Sequence, residues 1–489
     1  MPVKEGEEAE MAATTDEPGV RTARPRQHLS VAERRARGRS ARAASPRRRH
    51  ADWEPAAGRR DPVDVLEEQA ATRVPELVPI RYGRMLTSPF AFYRGAAALM
   101  AADLADTPTS GVRVQLCGDA HLSNFGSFAS PERSLIFSVN DFDETLPGPW
   151  EWDVKRFAAS FAIAARSRGA SDAERKALLL RTVGAYRRAM REFAAMRDLE
   201  VWYARADVGL IQRRLGAQAA KSEAKAFEKN VAKARAKDSM RALDRLTHRV
   251  GGELRILADP PLIVPIEDLV QGRGLQEIEA ALGAIFAAYR RTLQRDRRRL
   301  LDGYRYVHLA RKVVGVGSVG TRAWIVLLLG RDDQDPLVLQ VKEAQPSVLE
   351  PYAGRSEHPN QGQRVVEGQR LMQAASDIFL GWCRVQETMD GISRDFYVRQ
   401  LWDWKRSAEV ETMTPNILSM YGELCGWTLA RAHARSGDRI AIASYLGNGD
   451  AFEQALATFA ESYADQNDRD FAAVEAAVAS GRLEATTGL

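Results

Sequence analysis

Two stretches, VQLCGDAHLSNFGSF (114–128) and SLIFSVNDFDETLPGPWEWDVKRFA (134–158), concentrate the side chains able to do chemistry. The first carries Asp119, His121 and Asn124, and the second Asn140, Asp141, Asp143 and Glu144. Hard oxygen donors of this kind suit Mg2+, which takes one or two carboxylates and completes its shell with phosphate oxygens and water. A carboxylate left off the metal can accept the proton of an attacking hydroxyl. Two adjacent strand ends are expected to bring Asp119, Asn124 and Asp141 close together. An aspartate base, a metal-binding asparagine and a metal-binding aspartate together make the pattern of phosphoryl transfer. Asp143 and Glu144 read equally well as loop acids that cap turns, and His121 as a residue that shapes its loop.

A nucleotide also needs its phosphates covered. GVGSVG (315–320) places Gly315, Gly317 and Gly320 ahead of TRAWIVLLLG, which reads as a strand. A dinucleotide fold would continue into a helix, so these glycines belong to a β-turn-β hairpin instead. PLVLQVKEA (336–344) then presents Lys342 on the following strand, where an ammonium would grip phosphates. VVEGQRLMQ (365–373) offers Glu367 on a helix as its ion-pair partner. The sequence has no Gly-Lys dipeptide, so a P-loop is excluded, and neither HExxH nor GxSxG occurs. His433 reads as a packed or capping residue, and Trp150 and Trp152 as packing anchors.

These residues require strands that end at loops. VRVQL (112–116) and SLIFSV (134–139) read as the strands that deliver Asp119 and Asp141. AFYRGAAALMAADLAD (91–106) reads as a helix, as do 150–166, 172–198, a long Ala/Lys-rich stretch over 217–249, residues 362–376 and most of 415–480. RKVVG, TRAWIVLLLG and PLVLQVKEA form a β-rich block, and FYVRQLWDW (396–404) reads as an extended hinge. The reading is an α+β protein with a small sheet-bearing lobe and a larger helical lobe. Its expected parts are a disordered Arg-rich arm (1–60), a helical lobe with the catalytic and metal loops (61–302), a small nucleotide lobe with its hinge (303–404), and the rest of the helical lobe (405–489).

GDAHLSN, DFD and EWDVKRFA resemble the GDxHxxN, DF(E/D) and DLA motifs of the aminoglycoside phosphotransferase and choline kinase group. The resemblance implies a protein-kinase-like two-lobe fold, ATP and Mg2+ as cofactors, and a small hydroxylated acceptor. It gives Asp119 the place of the catalytic base, Asn124 and Asp141 those of metal ligands, and Asp153 that of the aspartate bracing the catalytic loop. Cys117 departs from that pattern, because the group usually has His there. The stretch from about Arg81 to Val478 more closely resembles the bacterial family called domain of unknown function two-two-five-two, through SPFAFYRGAA, CGDAHLSNFG, NDFDETLPGPWEWD and YADQNDRDF. That family name carries no activity. In kinase-like proteins the glycine loop precedes the catalytic loop; here it follows, so the resemblance implies a circular permutation with the small lobe inserted in the helical one. YGELCGWTLARAHARSG (421–437) resembles the helix that leads into the catalytic loop, Gly437 being its C-cap, and helix 91–106 is an alternative for that place.

Charge and composition narrow the partners. The 489 residues include 45% apolar and 28% charged side chains, which suits a globular protein. Residues 1–60 hold 14 Lys and Arg against 9 Asp and Glu, which accounts for the net charge of +5 and leaves the body balanced. The body is therefore no nucleic-acid binder on charge grounds, while the arm could tether weakly to a polyanion. A stripe of Lys221, Lys225, Lys229, Lys233, Lys237, Arg241, Arg245 and Arg249 reads as a solvated helix face or a second weak polyanion contact. Three scattered cysteines form no CxxC pair, so a reducing cytoplasm is expected, and no apolar run is long enough for a membrane span. Two rival functions remain at this level: nucleotidyl (AMP) transfer on the same fold, and a non-catalytic nucleotide-sensing or scaffold protein.

Overall fold

The computed structural model describes residues 28–215, 221–236, 239–270, 275–386, 390–401 and 403–489. The chain opens with five helices, α1 (Val31–Ala44), α2 (Pro62–Ala70), α3 (Val78–Met85), α4 (Pro89–Gly95) and α5 (Ala97–Ala105). The single helix expected over 91–106 is thus two, parted at Ala96, whose backbone leaves the helical region (φ −107°, ψ 32°). Four strands follow: β1 (Arg113–Leu116), β2 (Phe125–Ala129), β3 (Leu135–Val139) and β4 (Leu146–Pro149). β1 pairs with β4, and β2 with β3, both antiparallel. Two long helices come next, α6 (Trp150–Arg166) and α7 (Asp172–Ala195).

α6 is the axis of the helical lobe. Glu151 and Asp153 in its first turn complement the helix dipole, and sixteen of its seventeen residues, Trp150 to Ala165, are buried. Around it pack α7 and three C-terminal helices, α12 (Pro415–Ser436), α13 (Arg439–Leu446) and α14 (Ala451–Ala479), named here ahead of the elements between. Their core contains Trp150, Phe157, Phe161, Tyr186, Leu456 and Phe459, with Trp150 stacked on Tyr186 at 5.7 Å.

The Arg-rich segment departs from the expected disordered arm. Residues 1–27 lie outside the described residues, but α1 is a regular helix opened by a Ser30/Glu33 capping box. It docks on α13 through Gly38, where a Cβ would stand 2.2 Å from the Ala441 carbonyl oxygen. Beyond it, Nε2 of the fully buried His50 lies 2.7 Å from the Tyr445 hydroxyl, and Arg59 forks onto Asp103 and Asp470. Close backbone contact and charge-assisted bonds hold this segment where apolar area is scarce, which its composition does not reveal.

The long helix expected over 217–249 is also divided. α8 (Lys221–Arg235) and α9 (Ser239–Leu246) are separate, and the chain turns into a hairpin of β5 (Thr247–Val250) and β6 (Glu253–Ile256). Gly251 and Gly252, at φ 59° and 91°, supply the left-handed turn that favours this hairpin. The basic stripe consequently never lies on one helix; Lys237 and the side chain of Lys221 are outside the described residues, and Arg249 sits on a strand.

A six-stranded antiparallel sheet forms the second unit. Its strands are β7 (Ile263–Pro265), β8 (Arg305–Lys312), β9 (Ala323–Leu329), β10 (Pro336–Ala344), β11 (Gly381–Val385) and β12 (Arg394–Gln400), in the order β11-β12-β10-β9-β8-β7. β9 reads Ala-Trp-Ile-Val-Leu-Leu-Leu because both sheet faces are covered. Val326 and Leu328 pack with Tyr289 and Leu293 at the end of α10 (Leu275–Arg291), while Ile325 and Leu327 pack with Leu243 and Leu246 of α9. The sheet unit therefore begins well before residue 303, since its two apolar faces need α9 and α10 as covers. The last helix, α11 (Gln361–Met372), runs between the sheet and the helical lobe, touching β11, β12 and α12. The fold is a mixed α+β arrangement. Among the described residues no helix is long and apolar enough to cross a membrane.

Candidate functional site

β1 ends at Leu116, and the chain is then held by Asp153 from the first turn of α6. Its carboxylate accepts the Cys117 and Gly118 amides at 2.8 and 3.0 Å, with His433 Nε2 at 3.2 Å. His433 is fully buried and also meets the Tyr186 hydroxyl at 2.9 Å, so it packs and braces, as expected. Gly118 sits at φ 83°, and a Cβ there would lie 2.2 Å from the Glu144 carbonyl oxygen. Only glycine fits that close crossing of the two loops. Asp119 follows immediately and is aimed into a cavity of about 840 Å3.

Asp119 accepts from Arg156 Nε at 2.5 Å, and Arg156 in turn donates to the Tyr93 carbonyl oxygen and lies over the Tyr93 ring at 4.4 Å. His121 stands with Nε2 3.6 Å from the other Asp119 oxygen. Its Nδ1 accepts the Ser123 amide, which leaves the ring proton on Nε2, toward Asp119. Burial, with Arg94 and Arg156 nearby, holds His121 well below the usual imidazole range, so it is neutral. Burial pushes the Asp119 carboxyl up, and the pull of Arg156 and Arg94 offsets this only in part.

Asn124 donates its amide nitrogen to the Asp119 carbonyl oxygen at 2.8 Å, which leaves its own carbonyl oxygen without a donor. The Asn140 amide donates to the Asn124 backbone, locking the two loops together. Asp141 accepts the Asp143 amide at 3.2 Å with one oxygen, and forms no ion pair among the described residues. Asp119, Asn124 and Asp141 all line the same cavity, together with Gly315 and Gly317 of the glycine turn. That turn joins the paired strands β8 and β9, so it is a β-turn-β hairpin. Gly315 and Gly320 have φ 69° and 88°, and Gly320 packs over the Arg73 side chain without lining the cavity.

Lys342 is buried on β10, directly opposite Tyr397 of β12. Its ammonium pairs with Asp143 at 2.5 Å, and the Tyr397 hydroxyl donates to the other Asp143 oxygen at 2.6 Å. Burial alone would raise the Asp143 carboxyl, yet Lys342 and Tyr397 hold it below the usual carboxylate range. Lys342 is pushed up despite its burial, chiefly by Asp143. The expected pairing of Lys342 with Glu367 does not form: Glu367 meets Arg370 at 3.2 Å, one turn along α11. The lysine reaches the metal loop instead, because α11 turns the Glu367 side chain outward.

Two residues of this site escaped the sequence reading. Asp143 reads as a loop acid until the sheet is folded against it. Arg156 stands three residues after Asp153, on the face of α6 turned to the same loop, a helical spacing that offers the only available signal. The extended stretch from Phe396 is β12, whose Tyr397 serves the site; Trp402 lies outside the described residues. α12 ends where β1 begins: Ser436 Oγ accepts the Gln115 amide at 3.1 Å, and a Cβ on Gly437 would meet Val114. Gly437 does terminate α12, in extended rather than left-handed geometry.

The sequence profile of a family described as an uncharacterized protein conserved in bacteria, DUF2252, matches residues 73–477. The chain belongs to the DUF2252 family. No curated protein and no solved structure matches it. The family match spans every residue of the site, from Arg73 under the glycine turn through Asp119, Lys342 and Tyr397 to His433, and also most of both packing units. α1 and the segment around His50 and Arg59 lie outside it, although they pack onto the family core.

Proposed function

We propose that this protein is an ATP- and Mg2+-dependent phosphotransferase of kinase-like fold with permuted lobe order, acting on a small hydroxylated acceptor. One observation carries the reading. Asp119, Asn124, Asp141 and the Gly315–Gly317 turn, brought from opposite halves of the chain, line one cavity, and Lys342 is buried on the strand that follows the hairpin. The closeness of α12 to β1 favours the permutation, because that helix adjoins the catalytic loop in space although it follows the loop in sequence.

In this reading Asp119 accepts the proton of the acceptor hydroxyl, whose oxygen takes the terminal phosphoryl group as the bond to the β-phosphate oxygen breaks and ADP leaves. Arg156 fixes the orientation of Asp119, and neutral His121 narrows its motion. The carbonyl oxygen of Asn124 and the free oxygen of Asp141 are hard donors that fit Mg2+. Among the described residues no group of three or more His, Cys, Asp or Glu is placed to hold a metal ion, so this pair would rely on phosphate oxygens for the remaining positions. Bound there, Mg2+ would neutralise charge on the phosphates. Lys342, buried beside the cavity, is joined to it through Asp143, and in this reading the glycine turn would lie over the phosphates.

The test is thermal unfolding of the full chain with ATP, with and without Mg2+, beside the Asp141→Ala variant. At 100 times Kd a ligand adds about 2.7 kcal/mol of stability, a rise of roughly 5 to 10 °C at this chain's size or less. A rise that needs Mg2+ and is lost in the variant supports the reading; folded proteins with no rise in either overturn it.

A further inference from the structure

The cavity has a wall that the site above does not use. Five arginines line it, from the N-terminal helices and their connections. Arg59 pairs with Asp103 and Asp470, and Arg60 with Glu68. Arg73, Arg81 and Arg94 form no ion pair among the described residues. Arg81, on α3, is fully buried; one nitrogen donates to Gln69 and to the Gly95 carbonyl oxygen, while Nε and Nη1 are buried without partners. Arg73 gives Nη1 to the Val319 carbonyl oxygen of the glycine turn and leaves Nε buried and unpartnered. The Arg94 side chain, on α4, donates no hydrogen bond to the described residues, and its Nε is likewise buried and unpartnered.

Three guanidinium groups, Arg81 fully buried and Arg73 and Arg94 half-buried, each with a buried unpartnered nitrogen and no ion pair among the described residues, make an arrangement that an anion would improve. Arg73 and Arg81 are close enough to oppose one another's charge. The guanidinium fork matches the geometry of a tetrahedral oxyanion, which can accept from two or three such groups at once. The position is defined as well. The Arg94 carbonyl oxygen lies 3.2 Å from where a Cβ on Gly317 would stand, and its guanidinium acts on the Asp119 carboxyl. The anion's place is therefore between the glycine turn and Asp119, apart from Lys342. Acids also face this cavity, but Asp119, Asp143 and Glu343 are each held by their own cations, Arg156, Lys342, and Arg322 with Arg394. Asp52, Glu54, Asp106, Asp141 and Glu144 also line the cavity and have no ion pair among the described residues, the last two on the loop after β3.

We propose that Arg73, Arg81 and Arg94 form a subsite for a phosphate group. The subsite stands independently of the phosphotransferase reading; only the source of its phosphate rests on that reading, being either the terminal phosphate of the nucleotide or a phosphate carried by the acceptor. The test is calorimetric titration of the full chain with inorganic phosphate and, separately, with ATP and Mg2+. It uses wild type, Arg94→Met, Arg73→Met and the metal-loop variant Asp141→Ala, each checked for folding by circular dichroism. The expected result is phosphate binding by wild type and Asp141→Ala, weakened about tenfold or more in each arginine variant. Unchanged ATP affinity in Arg94→Met assigns the phosphate to the acceptor, and a tenfold loss assigns it to the nucleotide. The proposal is overturned if wild type binds no phosphate, or if folded Arg94→Met and Arg73→Met bind it as wild type does. Phosphate binding without any ATP binding in wild type would keep the subsite and overturn the phosphotransferase reading.

Discussion

Asp119 and Asp143 face one cavity from neighbouring loops, and their surroundings drive them in opposite directions. Both are half-buried, and that burial raises both. At Asp119 the hydrogen-bonded Arg156, with Arg94 near, offsets this only in part, and the carboxyl stays above its ordinary value. At Asp143 an ammonium and a phenol hydroxyl bond both oxygens, and the carboxyl is held below. Burial therefore does not decide the charge state of a carboxylate in this cleft; the number of donors reaching its oxygens does. The first end is suited to taking a proton, and the second to remaining an anion that fixes a lysine across two packing units.

Under the proposed phosphotransferase reading, the largest effect expected is on turnover. Asp119→Asn should lower the rate of ADP release from Mg-ATP by about 10² to 10⁴ while leaving ATP affinity within a few-fold. Equal losses of rate and affinity would make Asp119 a binding group and erase the contrast. The next test compares the two cations. Lys342→Met leaves the half-buried Asp143 carboxylate without its ion pair and should cost up to about 3 kcal/mol in urea unfolding, much of it recovered in the Lys342→Met/Asp143→Asn double variant. Arg156→Met should cost less, because the Asp119 carboxyl, already raised by burial, can take up a proton once the guanidinium is gone. Matching losses would show that the two ends are equivalent.

Acid titration sharpens the contrast further. Asp143, lowered on folding, contributes stability that is present above the ordinary carboxylate pKa and lost as pH falls below about 4. Asp119, raised on folding, contributes stability that is complete below about 4 and lost as pH rises toward its folded value. Relative to wild type, Asp143→Asn should therefore flatten the acid limb of the stability profile, and Asp119→Asn should remove a decline on the neutral side. Unfolding midpoints at constant ionic strength measure both, and slopes of the same sign would contradict the assignment. The smallest effect belongs to Glu367→Gln. Its pair with Arg370 is a partly exposed one-turn contact, so stability should change by less than about 1 kcal/mol and ATP affinity not at all. A large loss of ATP affinity would restore Glu367 to the phosphate site.

Local patterns were legible where one segment carries its own reason. β10 is the expected strand residue for residue, the glycine turn is a hairpin because an apolar strand follows it, and Asp119, Asn124 and Asp141 line one cavity because two short strands deliver them. The α1 segment was not legible, because its docking rests on the absence of a side chain at Gly38 and on arginine contacts to distant carbonyls and carboxylates. Composition registers its charge and misses those partners.

By itself, then, the sequence determined which side chains are available, which of them share a loop, and which elements carry them, since these follow from local spacing and backbone preference. Only the tertiary structure decided the partners. Lys342 finds Asp143 across 199 residues of chain, where a glutamate on the next helix looked equally able to serve. Arg156 finds Asp119, and Arg73, Arg81 and Arg94 are left facing a cavity with no carboxylate of their own. Ion pairing falls off within a few ångströms in a site partly closed to water, so it is set by which surfaces packing brings together and not by distance along the chain.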